Sequence, residues 1–79
     1  MKVTIEDLRR LLGSGLADPV LVLIGGRMEV EAADSETAGA SDVITRTDLQ
    51  AQLDGEEATD HELELIAATL TTAVVQRGG

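Results

Sequence analysis

One segment constrains this chain more than any other: Val20-Leu21-Val22-Leu23-Ile24, then Gly25-Gly26, then Arg27-Met28-Glu29-Val30-Glu31-Ala32. Paired glycines between two strand-like runs predict a hairpin, because glycine supplies the positive φ angles that a tight two-residue turn requires. With Gly25 and Gly26 as the turn, Leu23 faces Met28 and Leu21 faces Val30. That side is wholly apolar and is the expected core. On the other side Val20, Val22 and Ile24 lie beside Glu31, Glu29 and Arg27, an apolar stripe edged by charge. A slip of one residue would exchange the two sides, so the assignment holds only in this register. In this register the stripe calls for a covering helix or a partner chain.

The flanking segments supply helices. Thr4 is an N-cap followed by Glu6 and Asp7, acids that favour a helix N-terminus. Ile5, Leu8, Leu11 and Leu12 then recur at helical spacing until Gly13-Ser14-Gly15 ends the run. Asp18-Pro19 marks a turn before the hairpin. Residues 33–41 contain no large apolar side chain and read as an exposed, mobile loop. Asp42 to Thr45 fits a short third strand, and Thr47 to Leu53 a short helix stopped at Asp54-Gly55. Thr59 with Glu62 three residues later forms a capping box. It opens a longer helix whose inner face carries Leu63, Ile66, Ala67, Leu70, Ala73 and Val74. The expected fold is therefore α+β in one domain over residues 1–79. An N-terminal helix precedes a hairpin with a possible third strand, and two C-terminal helices follow. The helices cover one sheet face, and residues 77–79 form a flexible tail.

Composition decides what kind of core this is. Val, Ile and Leu make up 22 of 79 residues, above the roughly 20% typical of disordered chains. Phe, Tyr and Trp are absent, so no side chain of the kind that buries about 150–250 Å² is available. An aliphatic core this light, in a chain this short, is marginal alone. Cysteine is also absent, which excludes a disulfide scaffold, a thiolate metal site and a catalytic thiol. The remaining supplement is a partner chain. Fifteen acids against six bases give a net charge of −9. That charge disfavours nucleic acid, as does the lack of aromatic stacking groups. The longest apolar run, Val20 to Ile24, is far short of the ~20 residues of a membrane span. The acids at Glu6 and Asp7 are unlike a signal peptide, so a cytoplasmic location is expected.

Several groups of residues carry chemical possibilities. Gln76-Arg77-Gly78-Gly79 resembles the diglycine ends of ubiquitin and of the small sulfur carriers. That resemblance implies a β-grasp fold activated at its C-terminus, with Gly78 and Gly79 entering an adenylating site. Lys2 to Ile5 would imitate the first strand and Val20 to Val30 a middle hairpin. The family also has a strand before its tail, where this sequence predicts a helix, and a helix C-cap with a frayed end accounts for the same residues. Asp54, Glu56, Glu57, Asp60, Glu62 and Glu64 place six acids within eleven residues. They suit either docking on a basic partner or a solvated helix N-terminus. The order of Asp54-Gly55-Glu56-Glu57 is not that of a calcium loop. His61 is the lone histidine, a poor basis for zinc or for acid–base catalysis. Asp34-Ser35-Glu36 is similar to the Asp-Ser-Leu of acyl carrier proteins, but Glu36 lacks the apolar anchor of the following helix.

No nucleophile, base and oxyanion site occur together, so no enzyme, cofactor, metal or small-molecule substrate is expected. The expected function is a non-catalytic interaction or assembly module, self-associating as a homodimer. It would bury either the stripe Val20, Val22 and Ile24 or the apolar face of the C-terminal helix named above, with Asp54, Glu56, Glu57, Asp60 and Glu64 as a charged docking cluster. Two alternatives stand beside it. One is a diglycine carrier used at Gly78 and Gly79; the other is an acidic neutraliser of a basic protein.

Overall fold

The computed structural model describes residues 2–35, 37–53 and 58–76. Helix α1 spans Ile5–Leu12, strands β1, β2 and β3 span Pro19–Ile24, Arg27–Ala32 and Ser41–Thr45, and helices α2 and α3 span Arg46–Leu53 and Asp60–Gln76. The α+β order matches the expectation from sequence, and the strands form one antiparallel sheet in the order β2-β1-β3.

The hairpin adopts the register that the glycines dictate, with Leu21 opposite Val30 and Leu23 opposite Met28. Gly25 and Gly26 have φ of 55° and 85°, the double positive φ of a type I′ turn whose twist matches that of the strands. Open space surrounds the position of a Cβ on Gly25, so backbone conformation alone limits substitution there. Gly25→Val is expected to cost about 1–2 kcal/mol, whereas Gly25→Asn, which tolerates positive φ, should cost a few tenths. Chemical denaturation followed by far-UV circular dichroism measures both. Equal losses would show that crowding, not φ, constrains the turn.

The third strand adds a feature that its sequence does not announce. Leu21 pairs with Ile44 while Val22 pairs with Asp42, so Val43 is an extra residue. Such a bulge turns two successive side chains toward one side. Ile44 is buried in the core, and Val43 packs half-buried against it. Helix α2 follows without a connecting loop, and Thr45 caps it by accepting from the Asp48 N–H at 3.0 Å.

Helix α1 begins with a complete capping box: the Asp7 N–H donates to Thr4 Oγ1 at 3.2 Å, and the Thr4 N–H donates to Asp7 Oδ2 at 3.0 Å. At α3 the Glu62 N–H donates to Thr59 Oγ1 at 3.3 Å, so Thr59 is the cap that the sequence indicates. The inward sides of the helices meet the apolar side of the sheet. Leu8 and Leu11 of α1, Leu49 and Leu53 of α2, and Leu63, Ile66, Leu70 and Val74 of α3 join Leu21, Met28 and Ile44 in one cluster. The smallest dimension of the molecule is 17 Å, room for two layers. Val20 and Val22, on the other side of the sheet, stand outside this cluster.

Candidate functional site

The two halves of the anticipated site have different surroundings. Val20 and Val22 lie outside the helix-covered cluster, yet they are only 4% and 2% exposed. β1 is the central strand, so each valine is flanked on both sides: Val20 by Glu31 and Thr45, Val22 by Glu29 and Asp42. The charged edge is itself tied together. The Thr37 hydroxyl is 2.9 Å from both carboxylate oxygens of Glu31, and Arg27 pairs with Glu29 at 2.9 Å. Ile24, at the strand end, is half-buried. Little apolar area on this stripe is left for a partner.

The acidic cluster is also divided. Asp60 forms an ion pair with Arg9 of α1. Both side chains are at least half exposed, so the pair orients α3 against α1 more than it stabilises the fold. Glu64, one turn further on, borders a groove described below. Asp54, Glu56 and Glu57 lie outside the described residues, as do Gly78 and Gly79 and the Glu36 of Asp34-Ser35-Glu36. Lys2 to Thr4 form no strand, Ile5 opens α1, and a helix precedes the diglycine end. These are departures from the β-grasp pattern.

Helix α3 presents a feature that attention to its apolar inner face passes over. His61, Leu65, Ala68, Thr72 and Val75 recur at alternating spacings of four and three, and all five are exposed. A spacing averaging 3.5 residues keeps such positions in one stripe along a helix. Leu65 is 54% and Val75 60% exposed, and among the described residues only Leu16, before β1, is a comparably exposed large hydrophobic. From Leu65 to Gln76 the helix carries no charged side chain, although 27% of the whole chain is charged.

Beside this stripe a groove of about 720 Å³ separates α3 from the N-terminal segment, lined by Lys2 and Ile5 on one side and by Glu64, Ala68 and Thr71 on the other. Its floor is fastened by a clasp between residues 68 apart in sequence. The Val3 N–H donates to Thr71 Oγ1 at 2.9 Å, and the Thr71 hydroxyl donates to the Val3 carbonyl at 3.4 Å. Val3 is 1% exposed, so losing the hydroxyl would leave two backbone groups short of partners. Thr71→Val is therefore expected to cost about 1–3 kcal/mol. Thr69→Val should cost well under 1 kcal/mol, because that exposed hydroxyl only bonds the Leu65 carbonyl of its own helix. Urea unfolding of the two variants measures the difference, and equal stabilities would mean that the clasp contributes nothing.

Among the described residues no polar or charged side chain is buried, no three metal-ligating side chains converge, and no helix is long and apolar enough to cross a membrane. His61 is exposed in the first turn of α3. Comparisons with protein-family models, curated proteins and solved structures find no match. The functional reading therefore rests on the chain's own surface.

Proposed function

We propose that the protein is a non-catalytic interaction and assembly module that self-associates through the outer face of α3. The carrying observation is the uncharged stretch from Leu65 to Gln76, with Leu65 and Val75 more than half exposed on it. Single exposed hydrophobics are ordinary; two on one helix, within a segment free of charge, form a surface that water solvates poorly. Neither face anticipated from sequence has apolar area to give, since Val20 and Val22 are almost fully buried and the inner face of α3 lies in the core; the outer face of α3, with Leu65 and Val75, does. Charge permits a like partner on this face. A net charge of −9 repels a second copy wherever acids oppose each other, and this stretch offers an approach without them.

Sedimentation velocity over a wide micromolar range tests the reading. A rising weight-average mass with concentration is expected. A single species of 8.3 kDa at every concentration would remove self-association.

A further inference from the structure

We infer that the occupant of the α3 stripe is the α3 of a second copy lying antiparallel to it, with Leu65 against the partner's Val75 and Ala68 against the partner's Thr72. This rests on the self-association proposed above and specifies its geometry. Positions spaced four and three apart are those through which two helices interlock. Beyond His61, the α3 stripe offers four: Leu65, Ala68, Thr72 and Val75. Run in opposite directions, they pair a large side chain with a large one at both ends and a small one with a small one at the centre. The helix axes can then approach evenly, and a two-fold axis between Ala68 and Thr72 closes the assembly at two copies.

Charge selects this direction over the parallel one. The acids of α3, Asp60, Glu62 and Glu64, all lie in its first five residues. Parallel packing would bring both sets, and both positive ends of the helix dipoles, to one end of the interface. In the antiparallel register Glu64 lies opposite Gln76 at the end of the other helix, and Glu62 and Asp60 fall past that end, so no acid of one helix faces an acid of the other.

The groove beside the stripe gives the second helix more than a line of contact. A stable interface typically buries about 800 Å² per partner, more than one stripe of a 17-residue helix supplies. The groove wall at Lys2 and Ile5 adds apolar and aliphatic surface on the same side, next to Ala68 and Thr71. Lys2 shares the groove with two acids, Glu6 and Glu64.

Because the chain contains no cysteine, introduced thiols report the register without background. Leu65→Cys and Val75→Cys are prepared singly, mixed in equal amounts and oxidised, with products separated by mass; Ala68→Cys is oxidised alone. A disulfide requires Cα atoms within about 7 Å, so the mixed Leu65→Cys/Val75→Cys product is expected to exceed either self-product by about tenfold. Ala68→Cys should crosslink little. Dominant self-products of Leu65→Cys and Val75→Cys would establish parallel packing and overturn the inference. Dominant crosslinking of Ala68→Cys would place the two-fold axis on Ala68 and overturn the register. If no variant crosslinks while the unmodified protein sediments as a dimer, α3 is not the interface and the inference fails, although self-association survives. If the unmodified protein stays monomeric, both fail.

Discussion

Replacing Leu21 by alanine is expected to leave the protein close to unfolding. Leu21 is 0% exposed on the central strand and faces Val30 on one side and Ile44 on the other. It belongs to the cluster shared by all three helices. Removing such a side chain costs the transfer energy of its lost methyl groups plus the cavity left behind, about 3–5 kcal/mol for a well-enclosed leucine. A chain of 79 residues has a total stability of only about 4–12 kcal/mol. No aromatic ring is available to shift into the space, so collapse around the cavity depends on aliphatic neighbours already in contact. Val22→Ala is the informative comparison. Val22 is as well hidden, at 2% exposed, but stands outside the cluster that the helices share. Its ladder neighbours, Glu29 and Asp42, lie at a surface where water can enter the vacated space. A loss of about 1–2 kcal/mol is expected there. Urea unfolding by far-UV circular dichroism resolves the two, intrinsic fluorescence being absent in a chain without Trp or Tyr. Equal losses would mean that Val22's side of the sheet is packed as firmly as the side that faces the helices.

That comparison also marks how far the sequence could be read. The hairpin and its register were legible because turn chemistry and alternation act over a dozen residues and agree with each other. The cap at Thr59 and the inner face from Leu63 to Val74 were legible for the same reason. The burial of Val20 and Val22 was not, because it depends on β3 pairing along the far edge of β1, and nothing local to Asp42-Val43-Ile44-Thr45 specifies that partner. The extra residue at Val43 has the same origin, as a bulge is a property of two strands. Asp60 read as one acid among six until the fold placed Arg9 beside it. The clasp between Val3 and Thr71 joins opposite ends of the chain and leaves no local trace. The outer stripe of α3 was visible in principle. Its threonine and histidine do not register as hydrophobic, and the stronger inner pattern of the same helix dominates any count of apolar positions.

Leu65→Glu is expected to abolish self-association while leaving the fold intact. Leu65 is 54% exposed on α3, and glutamate is as good a helix former as leucine, so unfolding should change by less than about 0.5 kcal/mol. In the antiparallel pair each substitution is felt twice, once in each copy. Two leucines then lose their burial, and two carboxylates enter an interface free of charge between Leu65 and Gln76. Losing part of about 1.5–3 kcal/mol per leucine in both copies corresponds to at least about a 100-fold weaker dissociation constant, at 1.4 kcal/mol per tenfold. Salt separates this outcome from docking on a basic partner. Two chains of charge −9 repel at long range, so self-association of the unmodified protein should strengthen as ionic strength rises and the screening length falls from about 10 Å at 0.1 M to about 3 Å at 1 M. Binding to a basic protein would weaken over the same range. Sedimentation of both proteins at low and high salt provides the measurement. A Leu65→Glu protein that still dimerises, or a dimer that salt dissociates, would remove the outer face of α3 as the uncharged seam between two copies.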